Sequence, residues 1–358
     1  MSYIVKVLNE LYVPGEKLCI SPRGLYTILM NLMIGCKKDT RDKVKDILGI
    51  FGGYVPISET PEFRIEPCDN SNELINESVM LIEKGYPIKK DFINSSMDIF
   101  STKVIHFTED SDEVIEKVRK WILLSTRGLI KDIELSLSEN TRLEIINVVY
   151  FKFKWRYPFD ADITSKMPFN KYDGSKVMID TMIMYNTSYY YKRDEDMKSQ
   201  IVMLEYDDYR FAMFIVIPDT ATGIDNIVSF LKDDVNMINR ITMKKDMNFK
   251  EINLYLPKFE MENDVDMSEA LINMGCEDLF KNGELVGISD VKTLRVSGIK
   301  QKTVIKVDEI GTEAASVTDT CVTDGPSNCI EVSANVPFMY IVADLQTKIP
   351  LFVGVFQG

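Results

Sequence analysis

A chain of 358 residues with 45% hydrophobic side chains has ample apolar material for a large core, which excludes a disordered polymer. Its 42 Lys and Arg against 55 Asp and Glu leave a formal charge of −13, which argues against a nucleic-acid footprint and against binding to anionic membrane surfaces. No apolar run approaches the roughly 18 residues of a membrane span, and MSYIVKVLNELYVPGEK lacks a basic flank followed by a long apolar stretch, so the expectation is a protein intracellular at its site of synthesis or exported by an unusual route.

In chain order, the first third reads mainly helical. Ser21-Pro22 caps the run GLYTILMNLMIGC, whose Leu25, Ile28, Leu29, Leu32 and Met33 share one helical face. Thr40 is expected to start a second short helix through Val44 and Ile47 to Gly49, and the Pro-, Gly- and Glu-rich residues 52–70 read as a loop. SDEVIEKVRKWILLSTRG is amphipathic and ends at Gly128, which suits a helix C-cap. From there strands dominate: LEIINVVYFKFKW (143–155), FAMFIVIP (211–218), the alternating INLYLPKFEME (252–262), then TVIKVDE, PFMYIVADL and IPLFVGVFQ, with short helices around 224–232 and 265–275. The order predicts an α+β chain with several sheets. Without a linker, a composition break or a repeat, residues 1–358 read as a single domain.

Catalytic chemistry finds little support in the residues. The single histidine, His106, would have to serve any Ser-His-Asp or Cys-His set, and neither a nucleophile elbow, a phosphate-binding Gly-rich loop nor HExxH occurs. Six cysteines lie far apart without a CxxC pair, so free thiols in a reducing compartment are expected, and neither a metal site nor a cofactor is. The sequons at Asn76, Asn94 and Asn186 read as chance matches.

Ser21-Pro22 with its Leu-rich helix and Gly35, NVVYFKFKWRYPFD (147–160), LPKFEME (256–262), the run from Leu271 to Phe280, KVDEIGTEAAS (306–316) and VPFMYIV…LFVGVF stand in an order and spacing that resemble the serpin family along nearly the whole chain. The resemblance implies the serpin fold: a multi-helix N-terminal part, a large central mixed sheet, two further sheets and an exposed reactive-centre loop, with hinge and loop spanning 309–335. It implies a protease inhibitor rather than an enzyme. Glu309, Gly311, Thr312, Glu313, Ala314 and Ala315 match the hinge pattern of inhibitory members, with Ile310 and Ser316 as mild variants within the hinge. Ser21, Asn147 and Gln301 fall in the region where the sheet opens, and Gln301 stands where most members carry a histidine.

The residues of the loop can be tested against insertion as a strand, because a strand alternates its faces. Thr312, Ala314, Ser316, Thr318 and Thr320 fall on one face; Glu313, Ala315, Val317, Asp319 and Cys321 fall on the other, which takes every charge. Proline first appears at Pro326, beyond the segment that should insert. The commonest loop length would place Gly325 before the scissile bond. One residue earlier is Asp324, preceded by Cys321-Val322-Thr323 and followed by Gly325, a register resembling that of the poxvirus cytokine response modifier A class, whose members inhibit caspases and granzyme B. A carboxylate suits an Arg-lined pocket. The competing reading makes Asp-Gly-Pro a turn, with specificity at Thr323 or Asn328.

The expectation is therefore a monomeric suicide-substrate inhibitor acting in the cytoplasm of an infected host cell on host caspases, granzyme B or both. The alternatives are an inhibitor of another serine protease cleaved at a different bond, and a non-inhibitory serpin that binds a partner.

Overall fold

Apolar spacing and turn chemistry lay out the elements. The structure, a computed structural model, describes residues 2–50, 74–108, 111–126, 128, 130, 133, 135, 137–234, 236–311 and 329–358. The chain begins α1 (Ser2–Leu11), β1 (Leu18–Ile20), α2 (Pro22–Gly35), α3 (Lys38–Leu48), β2 (Leu74–Glu83), α4 (Lys90–Phe100), β3 (Thr102–Phe107) and α5 (Ser111–Ser125). It continues β4 (Leu143–Phe151), β5 (Ser165–Asn170), β6 (Lys176–Asp194), β7 (Ser199–Glu205), β8 (Phe211–Pro218), α6 (Gly223–Asp233), α7 (Met237–Ile241), β9 (Asn248–Pro257) and β10 (Phe259–Asp266). It closes with α8 (Ser268–Leu271), β11 (Gly298–Val307), β12 (Ile330–Ser333), β13 (Phe338–Asp344) and β14 (Pro350–Phe356).

Ser21 caps α2 as expected, its Oγ accepting from the Gly24 amide at 3.1 Å with Pro22 in the first turn. Gly128 has φ +84° and its amide donates to the Leu123 carbonyl at 2.7 Å, ending the α5 region in a left-handed cap. The first third is mainly helical as read, with β1, β2 and β3 set among its helices; β2 escapes a periodicity reading because Asn76, Glu77 and Ser78 interrupt its apolar run. Three expectations are corrected. Thr40 lies inside α3 rather than at its start, and its hydroxyl donates to Glu284 at 2.6 Å instead of capping backbone. The alternating run 252–262 is two strands in two sheets, parted at Lys258, whose amide donates to the Asp180 carbonyl. The helix expected over 265–275 is one α turn followed by a π turn broken at Gly275, where φ is +99°.

A five-stranded mixed sheet runs β10-β11-β4-β2-β3. Within it β11 and β4 are parallel neighbours, with Gly298 opposite Glu144 and Val304 opposite Tyr150, while β10 and β2 flank them antiparallel. The second sheet has nine strands, ordered β1-β14-β13-β8-β7-β6-β9-β12 with β5 on β6. The long β6 makes it continuous, pairing β9 on both sides of a register shift between Met184 and Thr187.

Among the described residues, three apolar clusters set the layers. One packs α1, α2, α3 and α6 against the sheets. A second, built around Phe151, Phe153, Trp155 and Tyr206, fills the space between the two sheets. The third seats Val114, Val118, Trp121 and Ile122 of α5 over Ile146, Val148 and Val304 of the five-stranded sheet. The parallel seam between β4 and β11 thus has core beneath one face and α5 above the other.

Candidate functional site

The middle of the seam is polar. α2 is buried along almost its whole length and drives its N-terminus against β4 and β11. Gln301 there uses its whole amide: Oε1 accepts from the Ser21 amide at 2.7 Å, and Nε2 donates to the Ser21 carbonyl and to Asn147 Oδ1, both at 3.0 Å. Asn147 Nδ2 then donates to Asn76 Oδ1 at 2.9 Å, to Ser78 Oγ at 3.1 Å and to the Glu77 carbonyl at 3.2 Å. Asn76 Nδ2 reaches Thr27 on α2 at 3.2 Å.

Ser21, Asn147 and Gln301 are fully buried. Such a network holds strands together only while every group keeps its partner, because a buried orphan is expensive. Gly24 makes the closeness possible, since a Cβ there would overlap Asn147 Oδ1 and lie 2.8 Å from Gln301 Nε2. The structure thus brings Ser21, Asn147 and Gln301 together. Thr27, Asn76, Ser78 and Gly24 complete the cluster and were not assigned to it from the sequence. The available signal was the polar triplet Asn76-Glu77-Ser78 inside an otherwise apolar run.

At its C-terminal end β11 runs into a hinge fastened by the Trp155 segment. Trp155 stacks on Tyr206 with ring centroids 4.5 Å apart. Its amide donates to the Ile310 carbonyl at 2.8 Å and its indole N–H to the Asp308 carbonyl at 2.9 Å. The Phe159 amide donates to the Glu309 carbonyl at 2.7 Å. Glu309 Oε2 pairs with Lys258 Nζ at 2.8 Å and Oε1 accepts from Thr164 at 2.9 Å. Burial opposes ionisation of Glu309, but the lysine, the threonine and its own amide hold its carboxyl below the ordinary value. Lys154 bridges Gly311 in the antiparallel sense. Gly311 has φ +155°, and a Cβ on it would overlap the Phe153 carbonyl. Of the hinge residues named from the sequence, Glu309 and Gly311 are placed here. Thr312, Glu313, Ala314, Ala315 and Ser316, the specificity residues Cys321, Val322 and Thr323, and the Asp324-Gly325 bond lie outside the described residues.

At the opposite end of the seam Glu144 packs over the Cα of Gly298, whose Cβ would lie 2.5 Å from Glu144 Oε2. This carboxyl is only 5% exposed. Burial pushes it up to about 7, with Lys300 opposing the rise and Asp266 adding to it. Beyond the loop, β12 is an edge strand on β9. Cys329 Sγ donates to Asn186 Oδ1 at 3.0 Å and Asn253 Nδ2 to Glu331 Oε1 at 2.6 Å, which fastens its start.

Cys19, Cys36, Cys276 and Cys329 are free thiols. Burial raises Cys19 to about 11 and both Cys36 and Cys276 to about 12, which leaves these three unreactive. His106 is exposed on β3.

A parallel seam held by a buried polar cluster, with the chain leaving β11 turned back at Gly311 against Lys154, defines a class. The family model for serpins (serine protease inhibitors) matches residues 3–357, and the chain belongs to the serpin family. Its relatives include an uncharacterised serpin-like protein of fowlpox virus (strain NVSL), 64% identical over 358 residues and covering the whole of both chains. Plasminogen activator inhibitor 2 of Homo sapiens is 28% identical over 292 residues, 77% of this chain and 68% of that one. Among solved structures, the thermophilic serpin tengpin in its native state superposes with a TM-score of 0.89 at 21% identity, covering 100% of this chain and 92% of tengpin, a likeness of fold.

Proposed function

We propose that this serpin is a suicide-substrate inhibitor of Asp-specific host proteases, caspases, granzyme B or both, cleaved after Asp324. Its single domain would act as a monomer in the cytoplasm of an infected host cell, blocking apoptosis and inflammation. The observation that carries the reading is the direction of the strands. β4 and β11 are parallel, and the chain leaving β11 already turns antiparallel to β4 at Gly311. A strand continuing from there between them is antiparallel to both, so one parallel ladder is exchanged for two antiparallel ones, which are the more stable per residue. The alternation of 312–321 supports the same step, since its uncharged face is the one that would meet the core.

The protease serine or cysteine attacks the carbonyl of Asp324, the bond to Gly325 breaks, and the new amine leaves with the C-terminal fragment. The Asp324 carbonyl stays on the enzyme as an ester or thioester. Insertion then races hydrolysis of that acyl bond, and the stability gained on insertion distorts the captured enzyme. Glu309 and Gly311 give the hinge, while Ser21, Asn147 and Gln301 form the cluster that must part.

The test is incubation with a caspase and, separately, granzyme B, with residual activity and the mass of the released fragment as readouts. Inhibition with a fragment beginning at Gly325, abolished in Asp324→Ala, is expected. Inhibition undiminished in Asp324→Ala would move the scissile bond and direct the search to other serine proteases. Full protease activity with an uncut or merely digested loop would overturn the inhibitor reading.

A further inference from the structure

The hinge pairing dictates where an inserted segment lands. Trp155 with Ile310 and Lys154 with Gly311 are successive antiparallel pairs. Continued along β4, they put Thr312 beside Phe153, Glu313 beside Lys152, Val317 beside Val148, Thr318 beside Asn147, Asp319 beside Ile146 and Cys321 beside Glu144. The β4–β11 register, in which Ile146 faces Lys300 and Val148 faces Lys302, supplies the neighbour on the other side. Asp319 then lies against Lys300, and with that register continued by two residues Glu313 lies between Lys152 and Lys306.

The faces agree. Ile146, Val148 and Val304 point to the α5 side, while Phe151 and Phe153 point into the core between the sheets. Glu313, Val317 and Asp319 therefore fall on the α5 side, and the small uncharged residues fall over the core and the Asn147–Gln301 cluster. On that α5-side face β11 already carries Lys300, Lys302 and Lys306, which sit opposite Asp266, Asp264 and Glu260 of β10. Lys302 is 2.8 Å from Glu262 and 3.7 Å from Asp264. The basic row of β11 is thus lined by carboxylates on its β10 side, and insertion brings the two loop carboxylates to its other side.

Resting on the insertion reading, we infer that Lys300 and Lys306 are positioning residues that set the register of the inserted strand by receiving Asp319 and Glu313. A slip of one residue would turn both acids into the core, where an unpaired charge is strongly disfavoured. The correct register also leaves Cys321, an uncharged residue, against Glu144, and carries Asp324 past Leu143, so its carboxylate and the new chain end stay in water.

The test nicks the 312–328 segment of the full chain with a protease and compares Tm before and after nicking for the parent, K300Q, D319N and the double variant. The parent is expected to gain Tm sharply. K300Q and D319N should each lose about 1 °C of that gain, as expected for loss of a cross-strand ion pair in a chain of this length. The double variant should lose no more than either single one, and Lys300→Arg should keep the gain. Because the readout is the difference between nicked and intact protein, a general weakening of the intact fold does not mimic it. If the parent gains and K300Q and D319N gain as much, or their losses simply add, the register assignment is wrong and insertion stands. If the parent itself gains nothing, insertion fails and this inference fails with it.

Discussion

Gln301 spends every hydrogen-bonding group it has on joining α2 to the two strands of the seam. Replacing it by Leu, of similar volume, orphans the Ser21 amide and Asn147 Oδ1 in a fully buried site, at about 1–3 kcal/mol each, while the Ser21 carbonyl keeps the Leu25 amide at 3.1 Å. Gln301→Leu is expected to destabilise the native form by about 2 kcal/mol or more on that scale, read as a lower urea midpoint at unchanged slope. An unchanged midpoint would mean that the cluster does not hold the sheet. Ser21, Asn147 and Gln301 were legible in the sequence only through family resemblance. Asn76 and Ser78 were not, because polar residues inside a strand carry no sign of the partner that satisfies them. Glu144 was equally silent: one acid among the apolar residues of LEIINVVYF says nothing of the glycine it will cover.

Among elements, those whose residues are buried on both faces announced themselves, and β8 spans the run Phe211–Pro218 read from the sequence. The elements that were misread are those whose ends are decided by tertiary partners. Thr40 looks like a cap until Glu284 takes its hydroxyl, and the run through Pro257 looks like one strand until Asp180 binds the Lys258 amide. The loop is the element on which the proposed function turns. In the proposed insertion Thr312 would enter beside Phe153, which is 2% exposed. Thr312→Arg should therefore drive a guanidinium toward the core, slow insertion and turn inhibitor into substrate. The measurement is the number of inhibitor molecules consumed per protease inactivated, expected to rise at least several-fold. A ratio equal to the parent's would sink the insertion mechanism.

For the molecule as a whole, the seam links stability to pH. Glu144 has its carboxyl raised to about 7 by burial, with Lys300 on β11 opposing and Asp266 on β10 reinforcing the rise. Between the unfolded value near 4.5 and about 7 the folded state holds a proton that the unfolded chain has released. Native stability from this group is therefore complete below the lower value and falls as pH rises through the window, by about 3 kcal/mol in all. Carboxyls held low in the fold, such as those of Glu309 and Glu284, act in the opposite sense and at more acid pH. Unfolding midpoints between pH 5 and 8 should thus decline in the parent and flatten in Glu144→Gln; equal slopes in the two proteins would remove Glu144 from the account. The polar cluster has one more consequence, for where such a molecule can mature. Asn76 Nδ2, which donates to Thr27, is the atom that an N-linked sugar would occupy in the triplet Asn76-Glu77-Ser78, and Ser78 is itself buried. A glycan there would stand between α2 and the sheet, so a chain that carried one could not close around Asn147, whereas the exposed Asn186 would tolerate the same modification. Folding and glycosylation compete for one nitrogen, and every correctly folded copy is one in which Asn76 stayed bare.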